Sequence, residues 1–374
     1  MEFFILKLIS KLFFVTYSLL VFSSGTAFAF NTKAPSAILI EEKTGKVLFE
    51  KKPGRSSAPA SLAKMMTLLL AMEDLSHGKV SLTDIVTAST KTSKTGGHQI
   101  FLKEGEEFPF EILIKTVAMA SANDAAVAVA EHLSGSEEKF VERMNKRARE
   151  LGMKSTRFAN PHGLPNRRNP AKTTTRDLTI LSLELMKHPM IFKWTGIRLD
   201  YIRDGSFMLN NTNKLIGKVP YIDGLKTGFI NRSGFCVALT GKKDNMRLLG
   251  IVMGADSNDA RFKLGRELMD YGWNNFKKVV IAPEEVLPLK IPVSAGKQDS
   301  VSIRLAKPLV CVVERNRAKD VRHEIFSKEE IIAPVKKGQV VGEIRMVCGD
   351  EVLDKAELLT DEAIEKSGFF SQLF

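Results

Sequence analysis

Residues 62–72, Leu-Ala-Lys-Met-Met-Thr-Leu-Leu-Leu-Ala-Met, place the tightest constraint on this chain. They follow Pro59, which suits the first turn of a helix because its φ is already helical and its missing N–H is not needed there. A helix that is apolar nearly all round cannot lie on a surface, so other elements must enclose it. It also carries Lys64 into the interior, where an unpaired charge is costly. The chain must give that lysine a partner or keep it neutral.

The remaining sequence can supply the enclosure. With 374 residues, 44% hydrophobic and 26% charged, the chain fits a folded protein of about two domains and excludes general disorder. Residues 36–50 read as a hairpin turning at Glu42-Lys43-Thr44-Gly45. Residues 124–133 read as a second buried helix, 137–151 as a charged amphipathic one, 176–187 as another, and 261–273 as a closing helix. Two strand-like runs lie within 234–254, and the proline-rich stretch 159–175 reads as a loop. This mixture predicts one α+β unit over 30–280. Beyond it come short Val/Ile-rich runs at 301–305, 309–313, 340–347 and 351–359, broken by Pro and Gly. They predict a small all-β sandwich over 281–362, with a short apolar segment at 363–374.

The N-terminus carries an export pattern. Lys7 and Lys11 precede an uncharged apolar run of eleven residues, 12–22, and Ala27-Phe28-Ala29 offers a small-x-small cleavage site. Residues 1–29 are thus expected to be a signal peptide, with an uncleaved anchor as the competing reading. The three cysteines, Cys236, Cys311 and Cys348, do not make a disulfide scaffold. The six histidines form no HExxH, which argues against a zinc enzyme.

The net charge of +12 points to an anionic partner. It resides entirely before residue 281, because residues 281–374 hold 14 Lys+Arg against 16 Asp+Glu. Export argues against nucleic acid, and a slightly acidic tail argues against a basic membrane-binding one. An acidic wall polymer is the partner class that remains.

Three short motifs carry chemistry. Ser61-Leu62-Ala63-Lys64 puts a hydroxyl and an amine on one helix face. A serine becomes a nucleophile when a base takes its proton, and a lysine acts as that base only when burial or a neighbouring cation keeps it neutral. S-x-x-K also starts at Ser76, Ser136 and Ser294, so the buried setting singles out Ser61. Ser121-Ala122-Asn123 reads either as a helix cap or as a proton-relaying hydroxyl beside an amide that binds a substrate peptide group. Lys226-Thr227-Gly228 is the third K-T-G of the chain, after those at Lys43 and Lys94. It is the one expected to lead into a strand, after the stretch 229–233, with Gly228 admitting a ligand closely.

In this order the motifs match the set shared by penicillin-binding proteins and class A β-lactamases. The chain resembles the low-molecular-weight penicillin-binding proteins, the serine D-alanyl-D-alanine carboxypeptidases. The likeness extends through Phe101-Leu102-Lys103, His162-Gly163-Leu164, Thr175-Arg176-Asp177, Asp223-Gly224-Leu225 and Val252-Met253-Gly254. It implies a transpeptidase-like domain, an antiparallel sheet with a helical cluster, followed by the β-rich domain.

The resemblance further implies that Ser61 is acylated and Lys64 is its base. Ser121 would pass the proton to the leaving amine, and Asn123 would hold the substrate backbone. Lys226 would keep Lys64 neutral and, with Thr227, meet the substrate carboxylate. The N–H groups of Ser61 and Phe229 would bind the oxyanion. Arg261 would stand near the terminal carboxylate, or else be a surface arginine starting a helix. The implied partners are peptidoglycan stem peptides, with β-lactams as covalent inhibitors, and no metal or cofactor is required. The implied location is the periplasm or the outer face of the cytoplasmic membrane, with residues 363–374 as a candidate membrane contact.

Three rivals stand beside this reading. A class A β-lactamase needs a deacylating Glu in E-x-x-L-N; the chain has no such motif, and 159–175 contains no Glu. A D,D-endopeptidase shares all three motifs. A non-catalytic wall-binding protein would not need Ser61 and Lys64 intact.

Overall fold

The computed structural model describes residues 30–282 and 289–368. The expected signal peptide and residues 369–374 lie outside the described residues. The principal sheet is antiparallel and five-stranded: β1 (Ser36–Glu41), β2 (Val47–Lys51), β3 (Ile222–Ile230), β4 (Gly234–Lys243) and β5 (Met246–Ala255), in the order β2-β1-β5-β4-β3. The hairpin expected at 36–50 forms, with Thr44 N–H and Oγ1 both donating to Glu41 Oε2 at 2.7 Å to fix its turn. Gly241 lets β4 pass the end of β3, since a Cβ there would meet the Tyr221 carbonyl oxygen at 2.2 Å.

Helix α1 (Lys64–Ser76) is enclosed as its composition demands. It packs on α2 (Phe110–Met119), α3 (Asn123–Ser134) and α5 (Thr175–Met186), while α4 (Glu137–Glu150) closes the cluster through its one apolar stripe. Leu69, Met65 and Met66 are wholly buried. The closing helix α6 (Asn258–Asn275) packs on β4 and β5. The sequence stretch 159–175 is irregular up to the start of α5.

Two local expectations need correction. The α-helix does not begin after Pro59. Residues Ala60–Ala63 form a 3-10 turn, closed by Leu62 N–H on the Pro59 carbonyl at 3.1 Å, and Ala60 has φ +48°. The chain is tightened there because β3 and the loop at Gly163 both press on it. Nor does K-T-G precede a strand: Lys226, Thr227 and Gly228 lie inside β3. Residues 231–233 are the turn to β4, closed by Ser233 N–H on the Ile230 carbonyl.

Among its described residues the C-terminal part is all-β apart from one 3-10 turn. Strand β6 (Phe276–Ile281) continues directly from α6 and pairs with β9 (Leu309–Glu314), so it runs across residue 280. A six-stranded sheet combines β7 (Lys290–Ser294), β8 (Ser300–Leu305), β10 (Val321–Ser327), β11 (Ile331–Ile332), β12 (Val340–Cys348) and β13 (Glu351–Thr360) in the order β10-β12-β13-β8-β7-β11. Val301, Ile303, Leu309, Ile344, Met346 and Leu358 form its core. Ile364 is buried in that core and its backbone pairs with Val335. Ser367 N–H donates to the Ala295 carbonyl at 2.9 Å, so the segment beginning at 363 is docked on the β unit. Cys236, Cys311 and Cys348 are all buried free thiols.

Candidate active site

The three motifs converge on one pocket of about 270 Å3 beside Ser61. The turn holding Ser61 is wedged between two glycines. A Cβ on Gly228 would lie 3.2 Å from the backbone nitrogens of Ser61 and Leu62, a tight contact that glycine avoids as β3 comes this near. Gly163, at φ +90°, would drive a Cβ to 1.8 Å from the Ala60 carbonyl oxygen.

Lys64 is fully buried. Its Nζ lies 2.6 Å from Asn123 Oδ1, 2.8 Å from the His162 carbonyl oxygen and 3.2 Å from Ser61 Oγ. Burial holds its pKa well below the usual lysine range, the charge of Lys226 lowers it further, and the Asp124 carboxylate opposes both. A neutral amine has two N–H bonds and one lone pair. Two carbonyl oxygens accept the two N–H bonds, which leaves the lone pair for the Ser61 hydroxyl. This geometry suits an amine that receives a proton from Ser61.

Lys226 is also buried, and among the described residues its amine has one hydrogen-bond partner, the Thr227 carbonyl, at a long 3.4 Å. Burial pushes its pKa down to about 7, helped by the charge of Arg261. Thr227 Oγ1 donates to Thr212 Oγ1 at 2.8 Å. Phe229 is half-exposed at the pocket mouth and stacks on Phe235 with ring centroids 4.1 Å apart.

Neither polar residue of the second motif caps α3; the N-cap is Ala122 and has no side-chain bond. Ser121 sits at φ +61°, a conformation costing about 1–3 kcal/mol for a non-glycine residue. Its buried Oγ has no hydrogen-bond partner among the described residues. Asn123 bridges Lys64 and a neighbouring loop. Its Oδ1 is taken by Lys64 and its Nδ2 donates to the Gly96 carbonyl at 2.7 Å, leaving one N–H to spare. Gly97 allows that contact, since a Cβ there would lie 2.5 Å from Asn123 Nδ2.

Arg261 is not a surface arginine. It is buried on the pocket wall, its Nη1 donating to the carbonyls of Gly228 at 3.1 Å and Cys236 at 3.3 Å. Its Nε is buried without a partner among the described residues, and burial pushes its pKa down to about 10. An arginine on a pocket wall can take a carboxylate.

Sequence reasoning assigned no role to several residues that build the site. Asp124 accepts from the N–H groups of Ile100 at 3.0 Å and Leu102 at 3.1 Å, strapping that loop to α3. An acid within an Ala/Val-rich run was the available signal. His162 supplies a carbonyl to Lys64; burial, then Lys64 and Lys91, push its imidazole pKa down to about 3, so the ring is neutral. His98, Leu164 and Thr212 line the pocket, and Thr212 has no sequence signal.

Comparison with known proteins follows the same outline. A family model described as D-alanyl-D-alanine carboxypeptidase matches residues 23–257, and one described as penicillin-binding protein 5, C-terminal domain, matches residues 276–366. The chain is 39% identical to D-alanyl-D-alanine carboxypeptidase DacF of Bacillus subtilis over 345 residues, covering 91% of this chain and 88% of that one. The structure is similar to penicillin-binding protein 5 from Haemophilus influenzae, with TM-score 0.76 and 26% identity, over 90% of this chain and 99% of that one. It is also similar to penicillin-binding protein D2 from Listeria monocytogenes in an ampicillin-bound form, with TM-score 0.60 and 29% identity, over 65% of this chain and 99% of that one.

Proposed function

The chain belongs to the D-alanyl-D-alanine carboxypeptidase family, and from that premise we propose that its serine hydrolase activity runs through an acyl-enzyme on Ser61. Lys64 takes the Ser61 proton as Oγ attacks the penultimate D-Ala carbonyl carbon of a peptidoglycan stem peptide. The carbonyl oxygen gains the negative charge and is held by the N–H groups of Ser61 and Phe229, each such donor being worth about 3 kcal/mol of barrier. Ser121 passes the proton from Lys64 to the leaving nitrogen, the C–N bond breaks and free D-Ala departs. Lys64 then takes a proton from water, whose oxygen attacks the ester carbon; the bond from that carbon to Oγ breaks, Lys64 returns the proton to Ser61 Oγ, and the shortened peptide leaves as its carboxylic acid. Thr227, Lys226 and Arg261 receive the terminal carboxylate. A β-lactam ring opens on Ser61 by the same attack.

The observation that carries this reading is the coordination of Lys64, with both N–H bonds satisfied by carbonyl oxygens and Ser61 Oγ at 3.2 Å. Asn123 acts chiefly by positioning that amine. The absence of E-x-x-L-N supports slow release of β-lactams. The test is D-Ala release from a stem pentapeptide, set against cleavage of a cross-linked dimer. Release from the pentapeptide by wild type and none by Ser61→Ala supports the proposal. Faster cleavage of the dimer would make the chain an endopeptidase.

Export places the enzyme in the periplasm or on the outer face of the cytoplasmic membrane, where its substrate lies. N-terminal sequencing of the mature protein, expected to begin near Phe30, tests this. Membrane contact through residues 363–374 is tested by deleting them and following membrane fractionation.

A further inference from the structure

The reaction pocket opens past Phe229 on one side and Leu164 on the other into larger concavities of about 640 and 490 Å3. The two share Ala58, Ala171, Asn231 and Arg232 as walls, so they form one cleft continuous with the site of Ser61. The cleft is basic. Arg55, Lys172 and Arg232 line one part, Arg167 and Arg232 the other, and Asp256 is the single carboxylate among the lining residues. The four cationic side chains are exposed, and no ion pair or side-chain hydrogen bond joins them to any described residue.

The backbones beneath Arg55, Lys172 and Arg232 are nonetheless fixed. Ser57 and Thr173 exchange both backbone hydrogen bonds, at 2.9 and 2.7 Å, as do Arg157 and Lys172, at 2.8 and 3.0 Å. Arg232 rides on the closed turn between β3 and β4. Cations on a pinned backbone in a concave wall focus field toward the floor of the cleft, and they attract anions there more than scattered surface charges would.

A pocket of about 270 Å3 has room for the two terminal D-Ala residues, not for a whole stem peptide. The residues on the acyl side of the scissile bond must leave it, and this cleft adjoins it. We propose that the cleft binds free carboxylates on the acyl side of the stem peptide, so that the enzyme selects donors by the charge of residues upstream of D-Ala–D-Ala. This inference rests on Ser61 as the acylated residue. It concerns selection among substrates, which the three motifs do not address.

The test uses the mature chain and two synthetic peptides, N-acetyl-γ-D-glutamyl-L-lysyl-D-Ala-D-Ala and the same peptide with the glutamyl α-carboxylate amidated. At low ionic strength wild type is expected to show a kcat/KM about ten-fold higher for the acidic peptide, as expected from two or three exposed charge pairs. The preference shrinks as salt is added. In the double variant Arg55→Gln/Arg232→Gln it collapses, while hydrolysis of the amidated peptide and penicillin acylation stay at wild-type rates. Equal kcat/KM for both peptides in wild type would overturn the proposal, as would a preference that survives in the double variant. If wild type acts on neither peptide, the carboxypeptidase reading beneath it falls as well; activity on the amidated peptide alone separates the two failures.

Discussion

Lys64 Nζ lies nearer to Asn123 Oδ1, at 2.6 Å, than to Ser61 Oγ, at 3.2 Å. The Lys64 amine is held by the second motif and presented to the first. Three weakly specific sequence patterns thus become one device, in which Asn123 and the His162 carbonyl orient an amine, and burial together with Lys226 holds its pKa down.

An acid at position 123 should reverse that tuning. In Asn123→Asp a carboxylate beside the amine favours the ammonium form and raises the Lys64 pKa. At pH 7 the base is then protonated, and acylation by penicillin should fall about 100-fold. The rate should recover at higher pH, shifting the pH–rate profile to the alkaline side. Asn123→Ala should slow acylation without that alkaline shift. Matching profiles for the two variants would contradict the role given to Asn123.

Stability should depend on pH through Lys226. Its folded pKa of about 7 lies below the ordinary lysine value of 10.5. Between those two values the unfolded chain binds more protons than the folded one, so stability rises with pH across that window. Below pH 7 the full penalty of charging the buried amine is present. Lys226→Met removes it, and should be more stable than wild type by about 1–4 kcal/mol at pH 6. The difference should narrow toward pH 10 in urea denaturation. A gap constant with pH would count against a lysine pKa lowered by burial at this position.

Two glycines in the left-handed region should behave differently. Gly163→Ala brings a Cβ against the Ala60 carbonyl and should displace the turn of Ser61, costing about 3 kcal/mol or more and abolishing acylation. Gly152, at φ +77°, has open space where a Cβ would go, so Gly152→Ala should cost only about 1 kcal/mol and acylate normally. Thermal melts and penicillin labelling of both variants check this.

What could be read from the sequence divides along physical lines. Ser61, Lys64, Ser121 and Lys226 were legible because an apolar helix carrying a lysine demands an explanation and the motif order supplied one. The partner of Asn123 was not, since S-x-N reads equally as a cap and only the fold shows that Ala122 holds that position. The strand containing K-T-G was misplaced because Gly224 and Gly228 weaken a strand pattern, yet Gly228 is what lets β3 reach the turn of Ser61. Strand β10 escaped notice because most of its residues are exposed and pairing with β12, not burial, holds it. The strand runs buried in the C-terminal core were legible from their Val/Ile content.

The central claim is that Ser61 is the acylated residue and that neutral Lys64 activates it. Mass spectrometry of peptides from penicillin-treated protein tests it most directly. The account predicts one covalent adduct, on the peptide containing Ser61, in wild type. It predicts none in Ser61→Ala and a rate lowered about 100-fold or more in Lys64→Met. An adduct on another residue, no adduct in wild type, or undiminished acylation in Lys64→Met would contradict it.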